Sequence, residues 1–175
     1  MGVLTVRVAI IFGSRHGTTE AAACNLQKRL QEHVEIISVD HLETADLKRF
    51  DLVILGASIY MGHIQAAMKE FIERHLKVLL SKQVGLYLCC MLEGEMADKQ
   101  FEQEYPQTLR DHALVTGVFG GEIHKEKLDE FDRLIIDIVE GESALSSGLL
   151  DEEIRVFADV INLWSQKEGG AIENV

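Results

Sequence analysis

Residues 3–19 read VLTVRVAIIFGSRHGTT, a nearly unbroken apolar and β-branched run that stops at a glycine and gives way to small, hydroxyl-bearing and basic residues. A strand that is apolar at consecutive rather than alternate positions is buried on both faces, and such strands belong to parallel sheets covered by helices on each side. Just downstream, Ala22, Ala23, Leu26 and Leu30 recur at helical spacing up to His33, while Glu20, Gln27, Lys28 and Gln31 take the other face. The stretch therefore reads as strand, loop and helix, the first half of a parallel crossover.

The same alternation runs down the chain. Strands are expected over 34–39, 52–55, 84–91 and 113–119, with a short helical turn over 46–49. Helices are expected over 66–80, with Met68, Phe71, Ile72, Leu76 and Leu79 inward, and over 98–111 as a polar helix. A last helix carries Ile154, Phe157, Ala158, Ile161 and Trp164. Five buried strands with right-handed crossovers predict an α/β doubly wound parallel sheet, order 2-1-3-4-5, with helices on both faces. A further amphipathic stripe, Leu128, Phe131, Leu134, Ile135 and Ile138, predicts an extra helix between strand five and the last helix. It is followed by a small-residue stretch over 143–148.

With 175 residues the chain is long enough to cover one core efficiently, so one domain over 1–175 is expected. Its formal charge of -12 repels a nucleic-acid backbone and an anionic membrane surface and favours basic protein partners. No apolar run approaches the roughly 20 residues that span a bilayer, and the N-terminal residues show no signal-peptide pattern, which predicts a cytoplasmic protein without an integral membrane segment. Cys24, Cys89 and Cys90 lack metal-ligand spacing, so no metal is expected. The adjacent pair at the end of strand four reads more readily as small core residues than as redox thiols.

In this topology ligands bind beyond the carboxyl ends of the strands, where the winding reverses beside strand one. The candidate site is then built from the loops that begin near Ser14, Ser58 and Met91. In the first loop Gly13, Ser14, Arg15, His16, Gly17, Thr18 and Thr19 bring backbone N–H groups and hydroxyls to a helix N-terminus, where the dipole favours an anion. The loop lacks the lysine of a nucleoside-triphosphate loop and the three-glycine spacing of a dinucleotide fingerprint, so a phosphomonoester suits it better. Taken alone, its hydroxyls serve equally well as helix caps.

The second loop, Gly56-Ala57-Ser58-Ile59-Tyr60-Met61-Gly62-His63, sets an aromatic, a thioether and a flexible glycine where a planar ring would lie. The third is Met91-Leu92-Glu93-Gly94, followed by Glu95, and is acidic. His63, His75 and His124 are candidate proton donors without a carboxylate partner visible in sequence, and His63 is favoured among them.

The first loop resembles that of the flavodoxins, in which a hydroxyl-x-hydroxyl-Gly-x-Thr pattern wraps the phosphate of FMN. Ser14, Gly17, Thr18 and Thr19 match, and His16 stands where a hydroxyl is usual. The stretch GASIYMGHIQAAMKEFIERH, residues 56–75, is similar to one branch of that superfamily, the menaquinone-dependent protoporphyrinogen oxidases and their flavodoxin-domain relatives. The likeness returns at Phe119-Gly120-Gly121, at Phe131-Asp132-Arg133 and at Gly141-Glu142.

The resemblance implies a flavodoxin-like fold and non-covalent FMN held by residues 14–19, 57–62 and 91–94. It also implies an FMN-dependent oxidoreductase that hands electrons to a quinone or a redox protein. The segment after strand five is basic in porphyrinogen-oxidising members, but here Glu122, Glu126, Asp129, Glu130, Asp132, Asp137, Glu140 and Glu142 outnumber His124, Lys125, Lys127 and Arg133. A carboxylate-bearing porphyrinogen substrate would be repelled. Two other readings remain open: an electron carrier serving protein partners, and a flavodoxin-like binding module without cofactor.

Overall fold

The apolar run resolves into β1 (Arg7–Phe12), in which Val8, Ala9, Ile10 and Ile11 are all wholly buried. Four more strands follow: β2 (His33–Ser38), β3 (Leu52–Ser58), β4 (Gln83–Cys89) and β5 (Val115–Val118). They form one parallel sheet in the order β2-β1-β3-β4-β5. The computed structural model describes residues 5–41, 47–121, 130, 133 and 148–171. Five helices lie among them: α1 (Thr18–Gln27), α2 (Ala66–Leu79), α3 (Gly94–Glu104), α4 (Gln107–His112) and α5 (Asp151–Ala171).

Successive strand side chains point to opposite faces, and the two sets feed two cores. Ala9, Ile11, Val53, Leu55, Leu86 and Leu88 pack under α2, α3 and α4 through Met68, Phe71, Ile72, Ala97, Phe101 and Leu109. Val8, Ile10, Leu52, Ile54 and Tyr87 pack under α1 and α5 through Ala22, Ala23, Leu26, Ile154, Phe157, Ala158 and Ile161. The expected doubly wound architecture and strand order are those observed. Among the described residues no helix is long and apolar enough to cross a membrane.

Two local expectations change. The polar helix expected over 98–111 starts earlier and is two helices, because Pro106 disfavours helical backbone at the residue before it. Tyr105 is accordingly extended, at φ -101° and ψ 131°. Helix α1 stops at Gln27 rather than near His33, although Leu30 stays buried in the turn that follows, so apolar spacing outruns the helix. The helical turn expected over 46–49 is a 3-10 turn, Leu47–Arg49. The stripe Leu128, Phe131, Leu134, Ile135 and Ile138, on which the extra helix is expected, lies outside the described residues.

One cross-strand pair fixes the middle of the sheet beneath the loops. Gly56 of β3 is in register with Tyr87 of β4, and a Cβ on Gly56 would stand 1.9 Å from the Tyr87 ring. Only glycine lets the ring lie across β3. There Tyr87 stacks on Phe119 at 4.6 Å and donates its hydroxyl to the Thr19 carbonyl at 3.1 Å, tying β4 to the first turn of α1.

Candidate functional site

Strand β1 delivers the first loop against β3: the Gly13 N–H donates to the Gly56 carbonyl at 2.9 Å. The chain then turns back on itself, with the Gly17 N–H donating to Ser14 Oγ at 3.0 Å. Gly17 is the N-cap of α1 at φ 92°, a left-handed conformation that costs an L side chain about 1–2 kcal/mol. Among the described residues no side chain caps the helix there, and a Cβ at Gly17 would meet nothing within 4 Å. The first N–H groups of a helix have no partner inside it, so this N-terminus faces open space and suits an anion.

The two threonines differ from the sequence picture in one respect. Thr18 is 9% exposed, but Thr19 is wholly buried. Its Oγ1 has no hydrogen-bond partner among the described residues and has the Cys89 thiol as its polar neighbour, so this hydroxyl looks into the core rather than out of the loop. Arg15 is exposed and His16 half-buried.

Both turn toward the second loop. The Arg15 guanidinium carbon lies 3.8 Å from the centre of the Tyr60 ring, and the His16 ring meets Tyr60 edge-on at 6.2 Å. The structure thus brings the β1 and β3 loops together through these three side chains. Beyond Ser58 the chain makes a tight hairpin: the Tyr60 N–H donates to the His63 carbonyl at 2.8 Å, and the His63 N–H returns to the Tyr60 carbonyl at 3.1 Å. Met61 at φ 50° and Gly62 at φ 80° supply the two positive angles that a type I′ turn needs. Met61 is the exposed tip, at 53%. Ala57 is buried in β3, and the Ile59 N–H continues the ladder by donating to the Cys89 carbonyl at 3.0 Å.

The β4 loop sits on the other side of that ladder. Met91 and Leu92 are half-buried, Glu93 and Gly94 exposed, and Cys90 Sγ lies 3.5 Å from the Leu92 carbonyl oxygen. Leu92, Glu93 and Gly94 line a cleft of about 780 Å³ shared with Asp98, Phe101, Thr116 and Leu150. That cleft opens toward β5 and is not lined by residues 14–19 or 57–62.

An anion-ready helix N-terminus beside strand one, faced by a hairpin from strand three, agrees with the comparison to known families. A family model described as a flavodoxin domain matches residues 9–145. The chain belongs to the flavodoxin-domain family.

The protoporphyrinogen IX dehydrogenase (quinone) of Escherichia coli strain K12 is 28% identical over 106 residues, 59% of this chain and 56% of that protein. The match thus spans about half the length of that curated relative. Among solved structures, the rubredoxin oxygen:oxidoreductase of Desulfovibrio gigas superposes over 93% of this chain and 36% of its own, with TM-score 0.60 and 13% identity. A WrbA-like flavodoxin from Agrobacterium tumefaciens covers 93% of this chain and 99% of its own, with TM-score 0.57 and 15% identity. These two likenesses concern the fold.

Two side chains that sequence reading passed over organise this flavodoxin-family site. Gln65 donates to Ser58 Oγ at 2.7 Å, and its Oε1 would stand 2.9 Å from a Cβ on Gly13, so it packs the β3 loop against the β1 loop. Glu104, at the end of α3, takes the His63 Nδ1 at 2.8 Å, the Ile64 N–H at 3.0 Å and Lys69 Nζ at 2.9 Å. Burial pushes its carboxyl up, but the bonds from Ile64, Lys69 and His63 outweigh that and hold it below the usual carboxylate range. The carboxylate partner that His63 lacks in sequence is therefore supplied from a distant element. Burial also pushes the Cys90 thiol up to about 11 and Cys89 higher still, so neither is a thiolate near neutral pH.

Proposed function

We propose that the chain, as one domain over 1–175, binds FMN without a covalent bond and passes electrons from a reduced donor to a quinone or a redox protein. The observation that carries this reading is the N-terminus of α1 at Gly17, left-handed and with open space where a Cβ would stand, at the point where the sheet reverses its winding. A phosphomonoester fits there: the helix dipole and the first-turn N–H groups attract it, and the missing Cβ leaves room for its oxygens. In this reading residues 14–19 cradle the phosphate, and residues 57–62 and 91–94 flank the ring.

Bound FMN supplies the exchange of an electron pair; the protein supplies binding, orientation and electrostatics. Tyr60 gives an apolar face backed by the Arg15 charge, and Met61 gives a polarizable tip. Glu93, Glu95, Asp98 and Glu102 make the rim beside the β4 loop negative. That sign disfavours a carboxylate-bearing porphyrinogen and favours a basic protein partner, so the second reading, a carrier without a small substrate, rests on this rim. The porphyrinogen reading rests on the name of the E. coli relative.

The discriminating experiment is an anaerobic assay of the FMN-loaded protein against protoporphyrinogen, NAD(P)H, a quinone and ferredoxin. Rapid exchange with ferredoxin and slow porphyrinogen oxidation are expected. Fast porphyrinogen turnover with menaquinone would reverse the electrostatic argument.

A further inference from the structure

The 60–63 hairpin carries an imidazole whose two nitrogens face different worlds. His63 Nδ1 lies 2.8 Å from Oε1 of Glu104, a carboxylate only 3% exposed, whereas the His63 side chain as a whole is 72% exposed. The other Glu104 oxygen is occupied by Lys69 Nζ and the Ile64 N–H. With Nδ1 spent on the carboxylate, Nε2 is the nitrogen left to exchange protons with water. The ring also sits at the base of a turn whose backbone is locked at both ends by the Tyr60 and His63 hydrogen bonds, so its position follows that of the hairpin.

We propose that His63 is the redox-linked proton site of this protein and that Glu104 is its positioning residue. The inference rests on the FMN reading above. Reduced FMN held by residues 57–62 would place negative charge beside this hairpin. His63 would then take one proton from water at Nε2 while its Nδ1–H stays on Glu104. When the electron pair leaves for an acceptor, Nε2 returns that proton to water. Glu104 stays ionised throughout and fixes which nitrogen is free.

The charged groups around the pair agree with this assignment. From α3 comes Glu104, whose Oε1 holds Nδ1. From α2 comes Lys69, whose Nζ pairs with Oε2, while His63 uses Oε1. Tyr105, next to Glu104, is wholly buried and its ionisation is pushed well up by that burial, so it stays neutral. From the β1 loop, Arg15 and His16 meet Tyr60 at the far end of the hairpin.

The test measures the FMN midpoint potential and the FMN dissociation constant from about pH 5 to 8, where histidine titrates. It compares the wild type with His63→Gln and Glu104→Gln. In the wild type the plot of potential against pH should steepen within that range by one proton per electron pair. His63→Gln, at an exposed position, should keep the fold and bind FMN but show no such break. Glu104→Gln should keep a break and move it, since the imidazole loses its charged partner. Saturable FMN binding with the same break in His63→Gln as in wild type would overturn this inference alone. Absence of saturable FMN binding in the wild type would overturn the FMN reading and this inference with it.

Discussion

The two loops that meet across the site are built on opposite plans. The β3 loop is held from every side: its hairpin closes on two backbone bonds, Gln65 grips Ser58, and the buried Glu104 binds the residues that follow the turn. In the β1 loop the Gly17 N–H donates to Ser14 Oγ, and among the described residues no side chain caps the helix that the loop leads into. The β3 loop is organised before any ligand arrives, while the β1 loop leaves its helix end to be completed by one. Affinity for an anion should therefore reside in the β1 loop, and its orientation in the β3 loop.

The largest effect expected from breaking this contrast is at the latch. Glu104→Ala removes a carboxylate that serves three donors, one of them a buried backbone N–H, and should cost about 2–3 kcal/mol in urea denaturation at neutral pH. The sign with pH follows from the lowered carboxyl. A group held below its unfolded value stabilises fully above that value, and the stabilisation is lost as pH falls through the folded one. The stability gap between wild type and Glu104→Gln should thus be widest near neutrality and close below about pH 4. A gap that stays constant with pH would show that the charge of Glu104 contributes nothing.

A smaller effect is expected at the hairpin tip. Met61 adopts φ 50° with its side chain in solvent, a conformation asparagine tolerates better. Met61→Asn should raise stability by about 0.5 kcal/mol, because it gives the turn the Asn-Gly pair that type I′ geometry prefers. A loss of stability would mean that Met61 packs usefully at the site mouth.

How much of this could be read in the sequence depended on the range of the interaction. The parallel strands followed from consecutive apolar residues at 8–11, 52–55 and 84–89, since burial on both faces leaves a local mark. The loops of the site followed from the topology alone. The break at Tyr105 was signalled by the chain's one proline, Pro106, inside a stretch read as a single helix. Glu104 left a fainter mark. It lies on the same helical face as the buried Ala97 and Phe101, a carboxylate at an apolar position, but its partner His63 is 41 residues away. Thr19 shares the buried face of α1 with Ala22, Ala23 and Leu26, so spacing already pointed its side chain inward. Gly56 and Tyr87 are joined by strand register, which no local pattern carries.

The central claim is that the open N-terminus of α1 receives the phosphate of FMN. It is tested most directly by titrating the apoprotein with FMN and following quenching of flavin fluorescence, for wild type and for Gly17→Val, with circular dichroism to confirm that both are folded. Wild type should saturate at one FMN per chain. Gly17→Val, which puts a β-branched side chain at φ 92° over the phosphate position, should bind at least about tenfold more weakly. Equal affinity in the folded variant, or no saturable binding by the wild type, would contradict the account.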